Sequence, residues 1–300
     1  MPAVVTGRRT YQVGELRFSA IVAGQGPLVL CLHGFPDNNQ SFRHQIPALV
    51  AAGYQVVCPL LPGYEESSQN RAGHYDMETV ADTLAALIRA IQHQHGIQQP
   101  VHLIGHDWGA IAGYALCVRQ PELLRSFAAL TIPYNLTLGA VLAQAPVQLA
   151  YSWYIQFFQL RFVAESALEA QDWALVERLI RLWSPTWEMP AEQLRSIKQT
   201  LAQSGVKSAA LAYYRALFGV SRRERRARAL LNARIKVPTL QLRGELDGCI
   251  HSALWSLTRS ERFSGGLAQR QVVAGHFLHQ EKPDEVNRAL LDWLARWEQG

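Results

Sequence analysis

Short apolar runs rich in β-branched residues alternate with longer helical patterns along most of the chain. Runs of this length, bounded by turn-forming residues, are typical of strands. The predicted strands cover residues 28–32, 55–58, 101–104, 126–132, 239–243 and 271–273. Residues 11–23 alternate more weakly around Gly14, which suits a pair of strands at a sheet edge. Strands that alternate with helices in this way predict a mostly parallel sheet with helices on both faces.

A helical period is clearest between Asp76 and Gly96. Asp76 suits the N-cap position and Gly96 the C-terminal end of such a helix. Apolar side chains recur on one face of this segment: Val80, Leu84, Leu87, Ile88 and Ile91. A closing amphipathic helix is predicted after Pro283.

The alternation of strands and helices stops between residues 136 and 232, where helical patterns continue without a convincing strand. This segment is dense in aromatic residues: Tyr151, Trp153, Tyr154, Phe157, Phe158, Trp173, Trp183, Trp187, Tyr213, Tyr214 and Phe218. We therefore predict an α/β core made of residues 1–135 and 233–300, with an inserted helical cap of residues 136–232. Aromatic side chains that a cap presents to a pocket favour an apolar ligand.

Composition places the chain among ordinary soluble globular proteins, with 300 residues, 49% hydrophobic and 18% charged. This length suits one large domain or a core with one insertion. The net charge of +5 is partly local, because residues 221–228 contain a run of arginines. Such a run is usually a solvated helix face, and no nucleic-acid motif accompanies it. We expect no nucleic-acid partner.

The chain has four cysteines, none of them in a CxxC pair: Cys31, Cys58, Cys117 and Cys249. This pattern favours free buried thiols and a reducing, cytoplasmic compartment. Residues 1–18 lack the apolar stretch of a secretory signal. The most apolar long window, residues 136–160, is interrupted by Pro146, so no membrane span is expected. No P-loop, dinucleotide fingerprint or metal-ligand spacing occurs, so we expect neither cofactor nor metal, and a monomer or a homodimer remains open.

Residues 101–110, VHLIGHDWGA, combine a predicted strand, a G-x-D-x-G motif and the start of a helical pattern. In the G-x-S-x-G form of this motif, the nucleophile sits on a sharp turn between strand and helix. Here Asp107 occupies the serine position. A chance match to a loop is the alternative interpretation, and three further features weigh against it.

The first feature is the sequence HGFP at residues 33–36, directly after the first buried strand. The backbone amides of Phe35 and Trp108 would then form an oxyanion hole. His33 is assigned a structural role in fixing this loop.

The other two features follow late strands of the predicted sheet. Asp247 ends the sequence LRGELD and is the candidate acid that orients a histidine, with Glu245 as the second choice. His276 lies in VVAGHF after the last strand. The order nucleophile, acid, histidine is the one that this strand–turn–helix architecture uses.

An aspartate in the nucleophile position determines the chemistry. A carboxylate is already ionised at neutral pH and can displace a leaving group at a saturated carbon, which gives an alkyl–enzyme ester. His276, oriented by Asp247, would then activate a water that hydrolyses this ester. Ordinary esterases and lipases, which need a serine here, are disfavoured.

These motifs resemble those of the epoxide hydrolases in the α/β-hydrolase superfamily. The H-G-F-P, G-H-D-W-G, late-aspartate and G-H-F motifs occur in the family's order, and the resemblance covers about residues 11–297. It implies an α/β-hydrolase fold and the conversion of an apolar epoxide to a vicinal diol by water. One departure lies at residues 62–67, PGYEES, where the family often carries R-G-Y-G-x-S. We expect this change to affect substrate preference more than chemistry.

The resemblance also implies two cap tyrosines that hydrogen-bond the epoxide oxygen. Residues 152–159, SWYIQFFQ, are similar to the first site, with Tyr154 in the functional position. Residues 211–215, LAYYR, are similar to the second, where Tyr214 is the better match and Tyr213 its neighbour. A tyrosine hydroxyl can supply the proton that a departing alkoxide needs. We expect the substrate to contact these side chains: Phe35, Trp108, Trp153, Phe157 and Tyr213.

Two other functions remain open. A haloalkane or haloacid dehalogenase could use the same aspartate, because a halide needs only N–H donors. However, haloalkane dehalogenases often carry an asparagine where Phe35 stands, and fluoroacetate dehalogenases an arginine where Trp108 stands. A non-catalytic binding protein that kept the fold is the third hypothesis, since fold does not imply function. The intact set of Asp107, Asp247 and His276 speaks against it.

Overall fold

The computed structural model describes residues 6–134 and 138–298, apart from the side chains of Leu138 and Ala140. Eight strands form one sheet: β1 (Thr6–Val13), β2 (Leu16–Ala23), β3 (Leu28–Leu32), β4 (Gln55–Pro59), β5 (Val101–His106), β6 (Leu124–Leu130), β7 (Thr239–Gly244) and β8 (Leu267–Val272). Their order is β1-β2-β4-β3-β5-β6-β7-β8. The pairs β1–β2 and β2–β4 are antiparallel, and all other neighbours are parallel. This confirms the predicted mostly parallel sheet with a strand pair at one edge, and the structure shows that this pair is antiparallel.

The helices in the described ranges are α1 (Gln45–Ala51), α2 (Met77–His95), α3 (Trp108–Arg119), α4 (Leu138–Gln144), α5 (Gln148–Tyr151), α6 (Trp153–Phe157), α7 (Val163–Trp183), α8 (Ala191–Leu201), α9 (Val206–Ala216), α10 (Arg222–Leu230), α11 (Leu278–Glu281) and α12 (Pro283–Ala295). The predicted α2 is confirmed. Asp76 is its N-cap, with Oδ1 accepting from the Thr79 amide at 3.1 Å, and Gly96 ends it in the left-handed conformation. The closing helix is confirmed as α12.

The sheet is buried on both faces, as β3 illustrates. Leu28, Leu30 and Leu32 belong to the core that α2 and α3 share, whereas Val29 and Cys31 belong to the core under α1 and α12. A strand covered on both sides can be apolar at every position, which explains the uninterrupted apolar run. The four cysteines are buried free thiols, as predicted.

The last strand was only partly predicted. The apolar pattern pointed to residues 271–273, but β8 covers Leu267–Val272. This edge strand exposes Gln269, Arg270 and Gln271, so it carries little apolar periodicity. Its strand structure comes from parallel pairing with β7 rather than from its own sequence.

Helices α4 to α10 all lie between β6 and β7, and residues 138–230 form no strand. Helix α7 is interrupted at residues 170–173, whose backbone angles are not helical. Helix α8 is hydrogen-bonded to the loop after β3, where Gln193 Nε2 donates to Asp37 Oδ1 at 2.6 Å. These helices therefore contact the core at the carboxyl ends of its strands. Among the described residues, no helix combines the length and the apolar character that crossing a bilayer requires.

Candidate active site

Asp107 occupies a sharp turn between β5 and α3. Its backbone angles, φ 50° and ψ −117°, are unfavourable for a side-chain-bearing residue, and such strain is typical of functional positions. Neighbouring glycines permit the turn: a Cβ on Gly109 would lie 2.1 Å from the Leu32 carbonyl oxygen, and one on Gly34 would lie 2.4 Å from the Asp107 side chain. The sequence therefore presents the Asp107 carboxylate at the carboxyl ends of the central strands. The carboxylate is almost fully buried, at 6% residue exposure.

One of the two expected amide donors contacts this carboxylate directly. The amide of Phe35 donates to Asp107 Oδ1 at 2.8 Å. Trp108 is the first residue of α3, and amides in a first helical turn have no acceptor within the helix. His33 fixes the loop as predicted, because its Nε2 accepts from the Leu61 amide at 3.0 Å.

His276 lies between the two aspartates. Its Nδ1 is 2.9 Å from Asp247 Oδ2, and its Nε2 is 3.6 Å from Asp107 Oδ2. The other oxygen of Asp247 accepts from the amides of Cys249 and Ile250 at 2.7 and 2.9 Å. A carboxylate held in this way fixes the imidazole with Nε2 directed to Asp107. The alternative acid, Glu245, is exposed and accepts from Gln271 instead.

The charge state of His276 depends on both carboxylates. Complete burial lowers the pKa of its imidazole, but the negative charges of Asp247 and Asp107 outweigh this effect and raise it to about 10. His276 is therefore an imidazolium at neutral pH as long as Asp107 is ionised. Neutralising Asp107 removes part of this stabilisation, so the pKa of His276 falls.

Three other buried histidines near the site stay neutral. Burial lowers the pKa of His33 to about 4, and burial together with the charge of His276 lowers that of His106 to about 3. The pKa of His279 is also lowered by burial. His106 contributes a structural contact, with Nε2 2.9 Å from the carbonyl oxygen of His276.

Tyr154 and Tyr214 are both buried and lie together above this group of residues, with ring centroids 5.8 Å apart. Tyr214 packs edge-on against Trp108 at 4.9 Å, and its hydroxyl has no hydrogen-bond partner among the described residues. The Tyr154 hydroxyl is 3.2 Å from Cys249 Sγ. Burial raises the pKa of both phenols well above 10, so both retain their protons. Neighbouring Cys249 and Tyr214 add to this effect on the pKa of Tyr154, and the charge of Asp107 adds to it on the pKa of Tyr214.

The remaining candidate substrate contacts differ in position. Phe35 is fully buried, and its ring centroid is 5.5 Å from that of Tyr214. Phe157 is half-buried, whereas Trp153 is 43% exposed. Tyr213 is buried but directs its hydroxyl away from the centre, donating to the Pro62 carbonyl at 2.8 Å. The structure thus groups Phe35 with the residues around Asp107 and leaves Trp153 partly exposed at 43%.

Sequence reasoning assigned no role to three residues of this centre. The Trp183 ring lies 4.9 Å from Tyr154 and 5.6 Å from His276, and its carbonyl accepts from the His276 amide at 2.9 Å. Phe158 packs between Phe35 and Tyr214. Cys249 touches Tyr154. No local motif marks these residues, because they reach the centre through tertiary packing.

The described ranges bring one set of possible metal ligands together, at Asp247, Cys249 and His276, whose ligand atoms lie within 4.8 Å of one another. Two of the three are already bonded to each other through the Asp247–His276 hydrogen bond. The arrangement therefore fits an acid–histidine pair better than a metal site. Chemically, the centre offers a buried carboxyl group in a strained turn, a backbone amide that donates to it, an imidazole between two aspartates and two proton-bearing phenols.

Residues 27–283 match the model of the alpha/beta hydrolase fold family. The chain is 30% identical over 280 residues to the AB hydrolase superfamily protein YfhM of Bacillus subtilis, covering 93% of this chain and 94% of that protein. It is 27% identical to Epoxide hydrolase A of Mycobacterium tuberculosis, with 96% and 97% of the two chains covered.

Solved structures are also similar to this chain over nearly its whole length. The crystal structure of an epoxide hydrolase from Vigna radiata superposes with a TM-score of 0.80 at 25% identity, covering 97% of this chain and 98% of that one. Epoxide Hydrolase A from Mycobacterium thermoresistibile gives a TM-score of 0.75 at 27% identity, with the same coverage. The predicted fold class is confirmed.

Proposed function

Because the chain belongs to the alpha/beta hydrolase fold family, we propose that it hydrolyses an apolar epoxide to a vicinal diol, with Asp107 as the nucleophile. The observation that carries this proposal is that two proton-bearing phenols, Tyr154 and Tyr214, are buried side by side near an aspartate in the nucleophile turn, with Tyr214 packed against Trp108 of that turn. The names of several relatives, which are epoxide hydrolases, support the same activity. The helices between β6 and β7 serve as the cap.

In the first step, the Asp107 carboxylate attacks an epoxide carbon and the carbon–oxygen bond of the ring breaks. The departing oxygen takes a proton from Tyr154 or Tyr214. The raised pKa of these phenols keeps the proton in place until the oxygen develops charge. Tyr214 fits the role of second acid better than Tyr213, whose hydroxyl is bonded to Pro62.

In the second step, water attacks the ester carbonyl of Asp107. Ester formation has removed the negative charge that held a proton on His276, so its pKa falls and this proton returns to the phenolic oxygen that the first step left deprotonated. The neutral Nε2 can then accept a proton from the attacking water. Asp247 stabilises the imidazolium that results. The developing oxyanion accepts from the amide of Phe35, which already lies 2.8 Å from Asp107 Oδ1, and from that of Trp108. The bond between the Asp107 carbonyl carbon and the substrate oxygen then breaks, and this oxygen takes the proton from His276 as the diol leaves. The carboxyl group of Asp107 finally returns its proton to His276, which restores the starting state.

The surroundings of the carboxylate favour an apolar substrate. Phe35, Phe158, Trp183 and Trp108 are all buried around it. Aromatic rings supply apolar contact area and few hydrogen bonds, so a substituent that carries a charge would lose its solvation without replacement.

A parallel assay tests the proposed activity against the dehalogenase alternative. The purified protein is given styrene oxide and a matched alkyl bromide, and release of diol and of bromide is measured. We expect diol without bromide, because the phenols suit an oxygen leaving group. Bromide release without diol would contradict the proposal and assign the site to halide displacement.

Removing the two phenol hydroxyls should slow epoxide opening. The double variant Tyr154→Phe, Tyr214→Phe should lower the rate of ester formation by about 10²–10⁴-fold, since the departing oxygen then lacks a proton donor. The measurement is a single-turnover experiment with enzyme in excess over styrene oxide.

Tyr213→Phe is the matched control, because it removes a neighbouring hydroxyl that donates to Pro62. We expect it to leave the rate of ester formation close to that of the unsubstituted enzyme. A double variant that forms ester at a normal rate would show that Tyr154 and Tyr214 only pack the cap.

A further inference from the structure

Cys249 lies at the catalytic centre, yet none of the steps described above uses its thiol. The residue is 1% exposed, and its Sγ is 3.2 Å from the hydroxyl of Tyr154. Burial, followed by the charges of Asp247 and Asp107, raises the pKa of the thiol well above its ordinary value. The side chain is therefore a neutral thiol with one proton to donate.

The backbone around Cys249 is held at several points. Its amide donates to Asp247 Oδ1 at 2.7 Å, and its carbonyl accepts from Gln148 Nε2 of α5 at 2.8 Å. The preceding amide, of Gly248, donates to the carbonyl of Trp183 at 3.0 Å. The position of the thiol is thus fixed relative to both the catalytic acid and the cap.

The Tyr154 hydroxyl and the Cys249 thiol can exchange the direction of their hydrogen bond. A hydroxyl and a thiol each have one proton and can each accept, although sulfur accepts weakly. Without substrate, Tyr154 can donate to Sγ. Once Tyr154 gives its proton to an epoxide oxygen, the phenolic oxygen gains negative charge and becomes the better acceptor, and the thiol can donate to it. Tyr214 has no such partner among the described residues, because its hydroxyl is unbonded there.

We propose that Cys249 is a positioning residue for Tyr154: its thiol holds the hydroxyl in place and stabilises the phenolic oxygen as the epoxide opens. This inference rests on the proposed epoxide hydrolysis. The proton of Tyr154 passes to the ring oxygen while the bond between Asp107 and the substrate carbon forms and the ring carbon–oxygen bond breaks. The thiol keeps its own proton throughout.

The proposal predicts an effect on one step only. Cys249→Ala should slow ester formation by about two- to ten-fold, the contribution of one hydrogen bond. Cys249→Ser should restore most of this rate, because a hydroxyl of similar size can accept and donate in the same way. Hydrolysis of the ester should be unchanged in both variants, since it depends on His276. Single-turnover experiments with styrene oxide separate the two steps.

A double-mutant cycle provides the decisive comparison. In the Tyr154→Phe background, Cys249→Ala should cause no further loss, because the hydroxyl that the thiol assists is gone. Cys117→Ala, which removes a buried thiol from α3, is the control and should leave both steps unchanged. Thermal melting of each variant verifies that it is folded.

Two results would overturn the proposal. One is an equal loss from Cys249→Ala with and without the Tyr154 hydroxyl. The other is a serine variant as slow as the alanine variant. Either result leaves the proposed function intact if ester still forms on Asp107, whereas a failure of that function would appear as the absence of any ester.

Discussion

Replacement of Asp107 with alanine is expected to lower epoxide turnover by about 10⁴-fold or more, the loss typical of removing a catalytic nucleophile. The two other acids that the sequence analysis considered, Asp247 and Glu245, are not placed to take over its role. Asp247 already accepts from His276 and from two backbone amides, and Glu245 is exposed and bonded to Gln271. The measurement is the initial rate of diol formation from styrene oxide at neutral pH.

Glu245→Gln provides the matched control for this experiment. It also removes a carboxylate near the carboxyl ends of the strands, but from a side chain on the surface. We expect this variant to keep its activity. If Asp107→Ala retained most of the turnover while remaining folded by thermal melting, the nucleophile would have to be another group.

Under the proposed mechanism, the paired charges let one histidine stay inactive in the first step and act as a base in the second. With Asp107 ionised, the pKa of His276 is about 10 and the imidazole carries a proton at neutral pH. An ester formed on Asp107 would lack the negative charge that raises this pKa. The first step therefore produces the base that the second step needs, which makes the two steps experimentally separable.

The sequence was most informative where a function depends on consecutive residues. The nucleophile turn, the HGFP loop, the aspartate after β7 and the histidine after β8 are each short segments that follow a strand. Because the carboxyl ends of parallel strands meet at one edge of a sheet, predicting the strands also placed these segments together. The structure brings these three residues together, with His276 between Asp107 and Asp247, while their catalytic roles stay a prediction.

Contacts that depend on tertiary packing could not be predicted in this way. Cys249 and Tyr154 are far apart in the sequence, and neither lies in a motif that refers to the other. Trp183 ends a cap helix, and only the structure shows its carbonyl bonded to the His276 amide. Edge strand β8 lacked an apolar pattern because much of it is exposed.

The choice between adjacent tyrosines also required the structure. On α9, Tyr213 and Tyr214 are consecutive and both are buried, so neither periodicity nor burial distinguishes them. Their side chains point in different directions, about 100° apart around a helix. The hydroxyl bond to Pro62 is what sets Tyr213 apart.

Replacement of His276 with glutamine is expected to stop the enzyme after its first step. Ester formation does not need the imidazole as a base, whereas hydrolysis does, so steady-state turnover should fall by about 10²–10⁴-fold. His93→Gln, which changes an exposed histidine on α2, is the control and should turn over normally. The expected product of the His276 variant is a stable ester.

Intact-protein mass spectrometry of the His276→Gln variant after incubation with styrene oxide tests the central claim most directly. We expect the protein mass to rise by one substrate molecule, and peptide mapping to place the added mass on Asp107. The control variant should show no added mass, because it hydrolyses its ester. Loss of turnover without added mass, or added mass on another residue, would contradict a carboxylate nucleophile at Asp107.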